Sequence, residues 1–361
     1  MSERRLPRPR EDLTDFPPYR TQQQKADVRL QANEWAEPNP ASAYLSVDEL
    51  RGVLLNRYPG GATNDLRERI ATRFDLLPEQ VVLGNGSNET LLYTFLAFGG
   101  HGRTTLVFEP TYAMHARLSS TAGGSVAREP VGLPYVITAD RALKAVARAR
   151  PHIVCFTTPN NPTGNRVPDD AILAVAERHP ETLVLVDEAY SDFAGFTLVP
   201  AMRTYGNLVI SKTFSKVRAA AGLRLGILFA HPELTAVYRA VQLPYNVGAV
   251  TVAIALRMLE DETPLARRVA LARAERDKVY RALAQVPAIE VFPSETNFIL
   301  FRVRDGDVTG AHARFLERSV LIRDISMWPG CASCLRASIG TPAENDRFIA
   351  ALDSAFAAAA T

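Results

Sequence analysis

SKTFSKVRAAAGLR, residues 211–224, lies between two apolar runs, Leu208-Val209-Ile210 and Leu225-Gly226-Ile227-Leu228-Phe229. Short apolar runs of this kind read as buried strands, so Lys216 stands just beyond the carboxyl end of one. Thr213 and Ser215 precede it by three residues and by one, and Arg224 follows it by eight. A lysine amine can condense with an aldehyde when it is held where it can lose its proton. Hydroxyls and an arginine fork suit a phosphate dianion. A single ligand bearing both groups is pyridoxal phosphate. Alone, the stretch fits a solvated loop equally well, because Lys and Ser are common there.

On either side of it, strand-like and helix-like patterns alternate, the mark of a mostly parallel sheet wrapped by helices. Val81–Leu83, Thr105–Phe108, Ile153–Phe156 and Thr182–Val186 read as strands. Each closes on a polar loop: Gly84-Asn85-Gly86-Ser87-Asn88, Glu109-Pro110-Thr111-Tyr112, Thr158–Gly164 and Asp187-Glu188-Ala189-Tyr190. Open α/β sheets bind their ligands beyond the carboxyl ends of the strands. Helices are expected over 50–55, 65–74, 89–98 and 169–178. A long helical region over 251–285 leads to a smaller α+β unit with strands near 297–303, 320–323 and 335–338 and a last helix near 343–356. The expected division is an N-terminal arm (1–40), a large cofactor-binding unit (41–250), a linking helical region (251–285) and a small C-terminal unit (286–361). Residues 1–30 read as an extended arm and not a packed element, with Phe16-Pro17-Pro18-Tyr19 as an apolar knot that docks elsewhere.

With 361 residues the chain can bury a large core. Its 41 basic and 39 acidic residues nearly cancel, and no long run of like charge exists, which argues against nucleic acid or an anionic membrane as partner. Three cysteines argue against a disulfide framework and for a reducing compartment. Cys331 and Cys334 form a CxxC without a second pair, so a structural role is expected over a zinc or redox site. The first residues carry charge without an apolar segment behind them, and no 18-residue apolar stretch exists. A cytoplasmic enzyme without a membrane span is the expectation, and no metal is called for.

The loop residues meet the needs of a pyridoxal cofactor one by one. Asp187 can pair with a protonated pyridine nitrogen, Tyr190 and Asn161 can hydrogen-bond the ring oxygen, and Tyr112 can stack on the ring. Gly84–Asn88 can present backbone N–H groups at a helix N-terminus, where anions bind. Each has a plainer reading: a helix cap, a packed aromatic, a turn. Their joint order favours the functional one.

In that order, GNGSNE, PTY, PNNPTG, VDEAY and SKxxxxxGLR resemble the fold-type I pyridoxal-phosphate-dependent aminotransferases over essentially the whole chain. Finer features are similar to the histidinol-phosphate aminotransferase group: the PPY arm, LQANE, NRYPGG, PYNV (244–247), SETNFIL (294–300), LIRD (321–324) and CLRASIGT (334–341). The resemblance implies a seven-stranded, mostly parallel large sheet with a smaller α+β C-terminal domain. It implies Lys216 as Schiff-base lysine and acid/base, since the arginine spacing from Lys212 is wrong. Asp187, Tyr190 and Asn161 would serve the ring and Tyr112 would stack on it. Ser87, Asn88, Thr213, Ser215 and Arg224 would bind the cofactor phosphate. Tyr58 would reach the cofactor of the partner subunit in a homodimer, and Arg336, Arg323, Asn33 and Tyr19 would hold substrate. The implied reaction is transamination of L-histidinol phosphate with 2-oxoglutarate in histidine biosynthesis. An aromatic aminotransferase, a threonine-phosphate decarboxylase and a non-catalytic pyridoxal-binding sensor are the alternatives. Val-Arg-Ala-Ala at 217–220 departs from the family's apolar pattern, and the arginine-rich 254–276 reads as a solvated face.

Overall fold

Every residue of the strands Ile153–Thr157, Leu183–Asp187 and Leu208–Thr213 is buried, as parallel strands covered by helices on both faces must be. The computed structural model describes residues 7–8, 10–13, 16–18, 24–304 and 306–356. In chain order its strands are β1 (Val28–Leu30), β2 (Val81–Asn85), β3 (Thr104–Glu109), β4 (Ser125–Pro130), β5 (Ile153–Thr157), β6 (Leu183–Asp187), β7 (Leu208–Thr213), β8 (Leu225–Phe229), β9 (Ile289–Val291), β10 (Phe298–Val303), β11 (Val320–Asp324) and β12 (Cys334–Ser338).

The large sheet runs β2-β8-β7-β6-β5-β3-β4. All its pairings are parallel except those of β8, which is antiparallel to both β2 and β7. This is the seven-stranded, mostly parallel sheet that the resemblance implied. Because β7 is followed by its antiparallel neighbour, the loop between them returns directly over the sheet's edge and carries Lys216 and Arg224. The small sheet runs β1-β11-β12-β10-β9 and has its own core, with Phe301, Phe315 and Phe348 at its centre. No described helix is long and apolar enough to cross a membrane.

Four sequence expectations need correction. Val28–Leu30, read as part of an unpacked arm, pairs in parallel with Val320–Ile322, and Val28 and Leu30 are buried. A three-residue strand carries too little pattern to be read without its partner. Strands β4 and β9 were not foreseen, the first because Ala127-Arg128-Glu129 breaks the apolar run. The helical region is two helices, Ala249–Met258 and Thr263–Ala284, with Pro264 in the first turn of the second, where its missing N–H costs nothing. The arginines of 254–276 are a solvated face only in part: Arg257 and Arg267 are exposed and pair with Glu260 and Glu37, whereas three others are tethered to backbone. Arg268, Arg273 and Arg276 donate to the carbonyls of Val217 (3.4 Å), Phe193 (3.0 Å) and Thr296 (3.1 Å), tying this helix to loops of both sheets. The Phe16-Pro17 knot does dock: Arg117 lies over the Phe16 ring at 4.4 Å and donates to the Pro17 carbonyl at 2.7 Å.

Arg218, the charge in an otherwise apolar position, is buried and donates to Glu262 at 2.6 Å, with its guanidinium 4.6 Å from the Phe214 ring. Glu262 also pairs with Arg73. Removing Glu262 strands the buried Arg218 charge, whereas removing Arg218 leaves Glu262 still paired with Arg73. Glu262→Ala is therefore expected to lose about 2–3 kcal/mol in urea denaturation. Arg218→Met should stay within about 1 kcal/mol of the parent.

Candidate active site

Between the two sheets lies a cavity of about 810 Å³. Its floor is set by β6, whose last residue, Asp187, is buried. One Asp187 oxygen accepts from the Ala189 N–H at 3.1 Å, and the other lies 3.2 Å from His115 Nε2. His115 is fully buried and its Nδ1 has no partner among the described residues. The network therefore assigns the hydrogen to Nε2, donating to Asp187, since a stranded donor would cost more than a stranded lone pair. Beneath them the Cys155 thiol is pushed up, first by burial and then by the Asp187 charge, so it stays protonated.

Tyr190 begins the turn after β6. Its hydroxyl accepts from Asn33 Nδ2 at 3.0 Å, and Asn33 is fixed in turn by Ser338. Lys216 projects from the β7–β8 loop with Nζ 5.5 Å from the centre of the Tyr190 ring and 3.3 Å from the Ala32 carbonyl. From β12, Arg336 reaches Asn161 Oδ1 at 2.5 Å and the Gln31 carbonyl at 2.9 Å. Arg323, its cross-strand neighbour on β11, also lines the cavity.

At one end of the cavity, the helix Ser87–Phe98 starts without a side-chain cap: Gly86, at φ 83°, precedes it. Its first N–H groups are left for a ligand, with the positive end of the helix dipole behind them. Around that end stand Ser87, Asn88, Thr213, Ser215 and Arg224. Thr213 Oγ1 donates to Ser215 Oγ at 3.0 Å, and Asn88 Oδ1 accepts from the Tyr112 hydroxyl at 3.0 Å. A Cβ on Gly86 would come within 2.2 Å of Arg224 Nη2, and one on Gly226 within 2.3 Å of the Ser87 nitrogen. Both glycines exist because backbone or guanidinium must pass that close. Arg224 itself sits in left-handed backbone conformation (φ 58°), a strained state that costs about 1–3 kcal/mol and persists at sites the surroundings over-determine. An open helix start, two hydroxyls and a guanidinium make a donor set that fits a phosphate dianion.

Lys212 and Lys216 are separated by more than spacing. Lys212 lies on the far side of β7, buried, with Nζ 3.1 Å from Glu188, 3.2 Å from Asp192 and 2.7 Å from the Ser191 hydroxyl. Burial pulls its pKa down, but the two carboxylates outweigh that and hold it above the ordinary lysine range. A locked ammonium cannot act as nucleophile.

Of the residues singled out in the sequence, the cavity brings together Ser87, Asn88, Tyr112, Asn161, Asp187, Tyr190, Thr213, Ser215, Lys216, Arg224, Asn33, Arg323 and Arg336. Tyr58 does not line it: this ring is exposed and stacks on Tyr245 at 4.2 Å. Tyr19 lies outside the described residues. Sequence reasoning missed His115, whose only signal was a histidine one helical turn after the PTY loop. It also missed Arg29, Lys25 and Trp328 on the cavity wall.

A large mostly parallel sheet, a smaller sheet and a lysine between a phosphate cradle and a carboxylate define a pyridoxal-phosphate-type transferase fold. The chain belongs to the aminotransferases of class I and II, whose family model matches residues 20–352. Over 356 residues, 95% of each chain, it is 38% identical to the histidinol-phosphate aminotransferase of Streptomyces avermitilis. It is 37% identical to the Corynebacterium diphtheriae enzyme of the same name, with 94% of each chain covered. Its fold matches the crystal structure of histidinol-phosphate aminotransferase from Sinorhizobium meliloti in complex with pyridoxal-5'-phosphate, at a TM-score of 0.83, 23% identity and 92% of each chain. At that identity the likeness is one of fold.

Lys212→Met would leave the buried Glu188 carboxylate without its ammonium partner. It is expected to lose about 3 kcal/mol in chemical denaturation, and Lys212→Met/Glu188→Gln should recover part of that loss.

Proposed function

We propose that the protein is a pyridoxal-phosphate-dependent transaminase that moves the amino group of L-histidinol phosphate to 2-oxoglutarate, giving glutamate, in histidine biosynthesis. The observation that carries the reading is the shared wall. The Lys216 amine from the large sheet and the Arg336 guanidinium from the small one open onto one cavity, and Arg336 is tied to Asn161 of the large domain. The names of the relatives support the substrate. The cytoplasm is the expected compartment.

Pyridoxal phosphate, when bound, supplies the carbonyl that takes up the amino group and a ring that spreads negative charge from the donor's α-carbon. Asp187 would face the ring nitrogen and keep its proton there, with His115 and the Ala189 N–H holding the carboxylate in place. Tyr190 and Asn161 would hydrogen-bond the ring oxygen, and Tyr112 would cover the ring. The phosphate would sit at the start of the helix Ser87–Phe98, held by Ser87, Asn88, Thr213, Ser215 and Arg224. Lys216 Nζ would take the proton from the donor's α-carbon and, in the second half of the reaction, give one to the α-carbon of the new glutamate. Arg336 and Arg323 would grip the substrate anion, Asn33 would orient the Tyr190 hydroxyl, and Tyr19 would help hold the substrate.

We also infer a homodimer. Leu54, Leu55, Tyr58, Leu243 and Tyr245 are exposed, and the Tyr58–Tyr245 stack joins their two segments into one apolar patch of the kind that marks an interface. Across it, Tyr58 would reach the partner subunit's cofactor phosphate.

The test is a single half-reaction. Without keto acid, L-histidinol phosphate should bleach the visible absorbance of the yellow protein much faster than L-phenylalanine does. Faster bleaching by phenylalanine would make it an aromatic aminotransferase, and carbon dioxide release from threonine phosphate would make it a decarboxylase. Lys216→Ala should abolish turnover while the protein stays folded. Gly226→Ala should weaken pyridoxal phosphate binding by roughly 10-fold or more, since overpacking of this size costs about 1–3 kcal/mol, read by absorbance titration.

A further inference from the structure

Three arginines on one face of the small sheet line the cavity. Strand register sets Arg323 beside Arg336, and Arg29 beside Leu321. Residues two apart in a strand point the same way, so Arg29 on β1, Arg323 on β11 and Arg336 on β12 all face the cavity, and all three line it. They are graded in depth: Arg336 is buried, Arg323 half-buried and Arg29 exposed at the mouth. Arg336 is already engaged with Asn161 and Gln31. Neither Arg29 nor Arg323 forms an ion pair with a described residue. The acids on the cavity wall are Asp187, held by His115, and Glu34. Cations left without counter-charge around one cavity favour an anionic ligand and repel one another without it.

The two substrates of a transaminase at this site present different anions. A carboxylate offers two oxygens and is satisfied by one bidentate arginine. A phosphate monoester offers three terminal oxygens and nearly two charges, which call for further forks. Resting on the function proposed above, we propose that Arg29 is a specificity-determining residue. It supplies an outer fork to the phosphate of the amino donor and has no equivalent task for a carboxylate held at Arg336. β1, a strand of three residues, is thus a delivery device: its pairing with β11 fixes Arg29 at the mouth of the cavity.

The experiment measures kcat/KM in the half-reaction for L-histidinol phosphate and for L-histidinol, and takes their ratio as the phosphate preference. It uses the holoenzyme, Arg29→Gln and Arg29→Lys. Arg29→Gln should lower the ratio roughly 10- to 100-fold, as expected for one charge-assisted hydrogen bond, with the loss appearing in KM for the phosphate ester. Arg29→Lys should restore part of it. A large preference in the parent that Arg29→Gln leaves unchanged overturns the role of Arg29 and leaves the proposed function standing. A parent without phosphate preference overturns both.

Discussion

The backbone of β8 runs so close to the start of the helix Ser87–Phe98 that no side chain fits at Gly226. That contact is the constraint on which the site depends. It follows from β8 being antiparallel and wedged between β2 and β7, with Gly84 facing Gly226 across the pair. Because the strand is held there, the residue before it, Arg224, lands against Gly86 and its guanidinium meets the open helix end. Because residues 214–224 must lead β7 back into its antiparallel neighbour β8, Lys216 is kept on the cavity side. A parallel strand in that place would need a long crossover and would carry the lysine and the arginine away from each other.

Strand alternation then divides the chemistry between two faces. Thr213 and Lys216 belong to the cavity, while Lys212 belongs to a closed charge network with Glu188 and Asp192 behind it. The same Glu188 accepts from the Leu198 N–H and the Thr197 hydroxyl. The buried ammonium thereby steadies the loop that begins with Asp187 and Tyr190. The second lysine of the motif supports the geometry of the first, and its elevated basicity keeps it out of the reaction.

Most of the large sheet was legible because its central strands are unbroken apolar runs that end in polar loops, and ligand positions follow from strand ends. Lys216, Arg224 and Asp187 were readable for that reason. What was not legible depends on distant partners. β1 is strand only because β11 offers an edge. Arg218 is tolerable only because Glu262 arrives at the start of a distant helix, and Arg268, Arg273 and Arg276 are structural only because backbone carbonyls face them. His115 carries no local mark, since its role comes from a carboxylate 72 residues later. Arg29 is a surface charge by every local measure, and strand register alone turns it toward the cavity.

β1 closes the small sheet with a strand some 290 residues downstream in the chain. During synthesis, residues 28–30 must therefore wait, without a strand partner, until nearly the whole polypeptide has left the ribosome. Gln31, Ala32 and Asn33, which steady Arg336, Lys216 and Tyr190, wait with them. The large sheet can assemble earlier from its own consecutive strands, so a nascent or truncated chain would hold a formed cradle facing an unfinished wall. The fold thereby makes the completed chain a condition of a competent site.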